Sequence, residues 1–291
     1  MKTKPPFSSR RGEMAFTMIE IALCLAIIGF ALVAIIGVLP TGMGVQKDNR
    51  EETIINQDAV MWLDTIRSGA RGHDDLTNYI LWITNVVTEF TIGATTNMVP
   101  GHSNVYVYSF TSSTKDGVQM NPRLDLTNGQ IIIGLLSKPK LEPPNPVAGN
   151  FLSNYIVATV RSMSGSAADK APQKDPDVLD SAFTYRMIVE NAPYVPFDKS
   201  LIDLPKAASD PTLTYQNLVE RTNLARIALN SEFNAHDLRL TFRWPVLPNG
   251  TGTRRQYFRV MNSGSMTTST NYNGSGQDLY FFQPSIYAEQ R

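Results

Sequence analysis

Residues 21–39, IALCLAIIGFALVAIIGVL, carry only apolar side chains and glycine. An α-helix of that length is roughly 28 Å long, close to the thickness of bilayer hydrocarbon. With no polar side to turn to water, the run predicts a membrane-spanning helix. Lys2, Lys4, Arg10 and Arg11 precede it against one acid, Glu13, whereas Lys47 and Arg50 beyond it are offset by Asp48, Glu51 and Glu52. That bias predicts a cytoplasmic N-terminus and export of everything after the span. Farther on, the apolar pattern becomes one-sided. Ile55, Ala59, Trp62, Ile66 and Ala70 recur at helical spacing, with Asp58, Asp64 and Arg67 between them. An amphipathic continuation to about Ala70 is expected, ending near Gly69 and Gly72, with its stripe against a sheet.

From about residue 71 the period changes. Leu76, Ile80, Ile83, Val87 and Phe90 suit a further helix, followed by strand-like runs at Val105–Phe110, Gln130–Leu136, Tyr155–Arg161 and Phe183–Val189. The clearest strand is Asp237–Val246, in which Leu238, Leu240, Phe242 and Trp244 alternate with Arg239, Thr241 and Arg243. Pro248-Asn249-Gly250 turns it, and Arg255–Met261 returns. Lys138–Pro146 reads as a stiff proline-rich connector and Ser162–Asp177 as a polar excursion between strands. Thr214–Leu229 suits a helix or a loop, Ser263–Gly276 a flexible loop, and Leu279–Tyr287 a final strand. The expected fold is α+β: a long N-terminal helix, its first half transmembrane, packed on an antiparallel β-sheet head. Its parts are a leader at 1–15, the helix at 16–70 with the span at about 21–39, and the head at 71–291.

Composition narrows the function. Of 291 residues, 42% are hydrophobic and 18% charged, so the head can build a core. Lysine plus arginine equals aspartate plus glutamate at 26 each. Neither a basic surplus nor a basic run interleaved with aromatics points to nucleic acid. The single cysteine, Cys24, excludes an intrachain disulfide and a cysteine-based zinc site.

Glu20 is the unusual residue. An acid abutting an apolar span is costly, about 2.5–3.5 kcal/mol at a helix centre and less nearer the interface, so it needs a functional partner. Upstream stands Ala15-Phe16-Thr17-Met18-Ile19-Glu20, behind the short basic leader. This stretch resembles the cleavage and methylation motif of type IV prepilins and type II secretion pseudopilins. A small residue precedes the cut, an aromatic follows it, and an acid stands fifth from that aromatic. Met18 replaces the family's usual leucine. Ala15 replaces its usual glycine and is the nearest residue in size.

The resemblance implies that a membrane prepilin peptidase cuts between Ala15 and Phe16 on the cytoplasmic side and methylates the new Phe16 amine. Losing Lys2, Lys4, Arg10, Arg11 and Glu13 removes +3 from a chain of zero formal charge, leaving −3. The new amine, with an ordinary pKa of about 7.7–8.0, is largely cationic near neutrality. It is the partner implied for Glu20, and pairing within a low-dielectric bundle would set helix register. Gly37, Pro40 and Gly42 weaken the helix beyond the span. They read as a local kink or melted turn, or as a plain membrane exit. The implied partners are prepilin peptidase, other pilin or pseudopilin subunits, the inner-membrane assembly platform and the lipid bilayer. The implied place is the inner membrane with a periplasmic head, which is large enough to suggest a minor subunit.

Other readings stay open. A plain signal anchor would make the chain a single-pass envelope binding protein that forms no filament. A cleavable secretory signal lacks its small residues after the run, and a lipoprotein signal would carry its cysteine later than Cys24. His73, His102 and His236 have no metal-ligand spacing and read as surface or turn residues. Asp175, Asp177 and Asp180 suit a solvated loop better than a calcium site. Arg254 and Arg255 read as solvated turn residues. No zincin, nucleophile-elbow or phosphate-loop pattern occurs, so neither an enzyme nor a cofactor or metal is expected.

Overall fold

The computed structural model describes residues 17–69, 72–92, 98–142, 151–164, 183–194, 233–247, 250–269 and 277–287, with positions 227 and 231. Helix α1 (Met18–Ser68) is followed by a short 3-10 helix (Asp74–Asn78) and strands β1 (Ile80–Ile92), β2 (Met98–Ser109), β3 (Ser113–Lys115) and β4 (Val118–Gln119). Helix α2 (Gly129–Leu136) and the short β5 (Leu141–Glu142) come next. Then follow β6 (Phe151–Arg161), β7 (Thr184–Pro193), β8 (Ala235–Leu247), β9 (Gly250–Ser263), β10 (Ser265–Ser269) and β11 (Leu279–Gln283). The chain forms two compact units, Met1–Glu52 and Thr53–Arg291, dividing within α1.

The second unit is built on one antiparallel sheet in the order β4-β3-β2-β1-β6-β7-β8-β9, with β5 beside β6. A separate ribbon pairs β10 with β11. The fold class is α+β. One face of the large sheet carries Ile83, Ile156, Ala158, Tyr185, Met187, Leu238, Leu240 and Phe242 into the core. Against it lies the α1 stripe, Ile55, Ala59, Trp62 and Ile66, each wholly buried. The alternation in β8 follows the sequence pattern, because a strand buried on one face turns every second residue inward. The hairpin from β8 to β9 pairs Leu247 with Gly250 and Trp244 with Arg254.

Helix α1 stops where the sequence stops it. Gly69 has φ +58°, and a β-carbon there would stand 2.0 Å from the Phe282 carbonyl oxygen. Only glycine satisfies both the left-handed backbone and that close approach.

Three expectations are corrected. The segment from Ile80 to Phe90 is strand β1, not a helix. A bulge between Ile80 and Trp82 inserts an extra residue, so Ile80 and Ile83 share the core side at a spacing of three. That spacing imitates a helix, while Ile83, Asn85 and Val87 then alternate as a strand should. Conversely, Gln130–Leu136 belongs to α2 rather than to a strand. Its residues are buried on all sides, and periodicity cannot separate a short buried helix from a buried strand. The Asn128 side chain accepts from the Ile131 amide at 2.9 Å and caps it. Finally, Ser265–Ser269 is strand β10, where a flexible loop was expected. Only Lys138–Glu142 of the proline-rich connector is described, with β5 paired to β6. Ala70, residues 165–182 and, except Ile227, Thr214–Leu229 lie outside the described residues.

Candidate functional site

The start of α1 is a closed hydrogen-bond ring. Thr17 precedes the helix, and both its amide and its Oγ1 donate to Glu20 Oε2 at 2.9 Å. The Glu20 amide returns a bond to Thr17 Oγ1 at 3.4 Å and another to the Thr17 carbonyl at 3.0 Å. This is a capping box, Thr-x-x-Glu, in which residue and backbone satisfy donors that a helix start leaves open. Glu20 was expected to hold its carboxylate for an amine; here that group already serves its own helix through one oxygen. The pattern stands in the sequence as Thr17-Met18-Ile19-Glu20, within the stretch that was expected to be a cleavage motif. Ala15 and Phe16 lie outside the described residues.

Beyond the ring, every residue of 21–39 is exposed in the isolated chain, Phe30 to 80%. Among the described residues, α1 alone is long and apolar enough to cross a membrane by length and composition. In the single chain the helix passes through Gly37, Pro40 and Gly42 without interruption. Pro40 has no amide hydrogen to give, and Thr41 Oγ1 donates to the Val38 carbonyl at 2.6 Å. Open space surrounds the β-carbon positions of Gly37 and Gly42. Cys24 is exposed in the same stretch.

In the second unit, Asp58 departs from its expected place between the stripe residues. It is 1% exposed and faces the core beside Ile55 and Trp62. The Tyr185 hydroxyl donates to Asp58 Oδ2 at 2.9 Å, the Met163 amide donates to the same oxygen at 3.0 Å, and Ser164 Oγ donates to Oδ1. Trp62 Nε1 in turn donates to the Tyr185 oxygen at 3.0 Å. Burial pushes the Asp58 carboxyl above the ordinary carboxylate range, against the opposing pull of its Ser164, Met163 and Tyr185 bonds. Tyr185 is pushed well up, first by burial and then by the Asp58 charge. The network fastens the helix to the end of β6 and the start of β7.

The remaining candidates do not gather. His73 and His102 are exposed, but His236 is buried, edge-on to the Phe282 ring at 5.4 Å, and not a surface residue. Burial holds its imidazole below the usual range. Arg254 and Arg255 lie in β9 rather than in a turn, and Arg255 stands 5.6 Å over the Tyr257 ring. Asp237, although burial alone would raise it, is held low by Arg259 and Arg239, whose Nε atoms reach it at 2.6 and 2.7 Å. Asp175, Asp177 and Asp180 lie outside the described residues. Among the described residues, no group of three histidine, cysteine or acidic side chains is placed to hold a metal ion. An open groove of about 500 Å³ at the β2–β4 end is lined by Tyr106, Lys115, Asp116, Asn121 and Gln277. Comparison with protein-family models, with curated proteins and with solved structures yields no match to this chain.

Proposed function

We propose that the chain is a minor subunit of a type IV pilus or a type II secretion pseudopilus. It is inserted through residues 21–39, clipped between Ala15 and Phe16, and assembled through its N-terminal helix. The observation that carries the reading is the conjunction at the helix start. A basic leader and a small–Phe junction lead into Thr17 and Glu20, and these open a helix with no polar side until well past residue 39. A filament interior supplies that helix with neighbours after the bilayer has released it. The leader stays cytoplasmic, the head periplasmic, and prepilin peptidase, sister subunits and the assembly platform are the partners.

The capping box favours a second reading, because it gives Glu20 a local task that any membrane anchor can use. In that reading the chain is an uncleaved single-pass protein whose head binds a partner in the envelope. Mass spectrometry of protein extracted from cells with active prepilin peptidase separates the two. A mature chain beginning at Phe16 and bearing one added methyl supports the subunit, and an intact N-terminus sinks it.

A further inference from the structure

The face of the large sheet opposite the core carries a row of residues in register. Trp82 stands opposite Thr159, Thr159 opposite Arg186, Arg186 opposite Arg243, and Arg243 opposite Arg255. Arg161 lies two residues beyond Thr159 on the same side of β6. Side chains directly opposite begin about 4.5–5.5 Å apart and diagonal ones about 7–8 Å, within reach of long side chains, and like charges so placed destabilise a sheet.

The same sheet shows how it compensates such a pairing. Arg239 and Arg259 also stand directly opposite each other, and Asp237 accepts from both. Among the described residues no carboxylate pairs with Arg161, Arg186 or Arg243.

Burial sharpens the contrast. Arg161 is 3% exposed; its Nη2 donates to the Asn78 carbonyl at 3.2 Å and its guanidinium lies 5.8 Å over the Tyr79 ring. Its Nε and Nη1 meet no partner, nor do Nε of Arg243 and Oγ1 of Thr159, which is 1% exposed. A buried guanidinium with open donors is costly unless an anion answers it. Four open polar atoms on this face of the sheet, three of them cationic donors on β6 and β8, are donors and acceptors in want of oxygen partners. Exposure rises from Arg161 through Arg186 and Arg243 to Arg255, which gives a ligand access from the β9 edge.

We propose that this face holds a site for a multivalent oxyanion of the phosphate class, gripped by the guanidiniums of Arg161, Arg186 and Arg243 and by the Thr159 hydroxyl. Three positive charges that meet no carboxylate among the described residues match a multivalent anion better than a single carboxylate. The planar donor forks suit tetrahedral oxygens. The site is independent of how the N-terminus is processed.

The test uses the full chain in a phosphate-free detergent, comparing phosphate with chloride and acetate at equal pH and ionic strength. At about a hundred times its dissociation constant, phosphate should raise the melting temperature by roughly 5–10 °C over chloride. Arg186→Gln and Arg243→Gln should each remove that rise while melting no lower than the parent in chloride. Phosphorus NMR gives a measurement free of stability: the parent should broaden the inorganic phosphate line and Arg186→Gln should not. An equal rise in the variants, an equal response to acetate, or an unbroadened phosphate line with the parent overturns the assignment.

Discussion

Between residues 21 and 39, helix α1 is apolar on every side and exposed in the single chain; between Ile54 and Ile66 the stripe Ile55, Ala59, Trp62 and Ile66 is buried, while Val60 and Met61 on the other side are exposed. The two stretches share a backbone geometry and differ only in how side chains are distributed around it. A one-sided stripe is satisfied by one neighbour, here the sheet of its own head. An all-round apolar surface needs an apolar environment on all sides, which a domain of this size does not provide. Polar residues follow the same division. In the first stretch the polar groups are confined to the Thr17–Glu20 ring at the end, whereas in the second Asp58 enters the core because Tyr185, Met163 and Ser164 are there to receive it.

The comparison is broken most severely from the stripe. Replacing Trp62 and Ile66 together with alanine should cost more than about 5 kcal/mol and abolish cooperative unfolding of the head. Ile28→Ala, in the exposed stretch, should leave the head's unfolding midpoint within about 0.5 kcal/mol of the parent in detergent. Denaturant titration followed by tryptophan fluorescence reads both. Similar losses from the two changes would show that the stretches are not separate designs.

A smaller effect, and one on assembly alone, is expected at Glu20. Glutamine keeps the capping box but loses the charge, and valine loses both. If the carboxylate pairs with the Phe16 amine, both variants should enter filaments at least about tenfold less than the parent, since each leaves a cation unpaired in a low-dielectric bundle. If the residue only caps, Glu20→Gln should assemble like the parent. Quantifying sheared or cross-linked filaments decides the point, with the head's melting temperature unchanged throughout.

Asp58 and Asp237, both buried, should titrate in opposite directions. Asp58 has a raised folded pKa, so the folded chain binds the extra proton and stability falls as pH climbs from the ordinary carboxylate value toward the folded one. Asp237 is depressed, so its contribution is present above its unfolded value and is lost as pH falls through the folded one. Asp58→Asn should flatten the first slope, and Asp237→Asn the second. Asp58→Ala should in addition cost about 1–3 kcal/mol by leaving buried donors open. Stability curves measured from pH 3 to 7, a range of roughly four units around the ordinary carboxyl values, provide the check. Smallest of all should be Lys47→Ala. Its exposed Nζ lies 3.8 Å from Glu51 one helical turn away, and removing that solvent-facing cation should move stability by less than about 0.5 kcal/mol.

Much of this is legible in the sequence. The stripe Ile55, Ala59, Trp62 and Ile66, the end of α1 at Gly69, and the alternation of β8 all follow from local periodicity and local backbone demands. Misreadings arose where a local signal had two causes. A bulge gave β1 a helical spacing, and the uniform apolarity of α2 erased its period. Asp116-Gly117 was a readable signal that went unused: both have positive φ and close the β3–β4 hairpin. At the helix start, Glu20 stands out by its cost beside an apolar run, and its bond to Thr17 is signalled only by the Thr-x-x-Glu spacing in the same stretch. Asp58, His236 and the arginine row were beyond reach, because each depends on neighbours far along the chain. No pattern around Arg161 reveals that Arg186 and Arg243 will stand beside it.

The tie between Trp62, Tyr185 and Asp58 also sets a timetable. Its members are separated by 123 and 127 residues, and β1 finds its neighbour β6 only after β2 to β5 have been laid down. A chain made from its N-terminus therefore presents the helical stripe long before the strands that cover it exist. Contacts of such long range are closed late and slowly, against a large loss of chain freedom. During that interval Trp62 and Ile66 remain uncovered and Asp58 remains in water. The helical stripe is made before the strands that cover it and is expected to be locked in place after them.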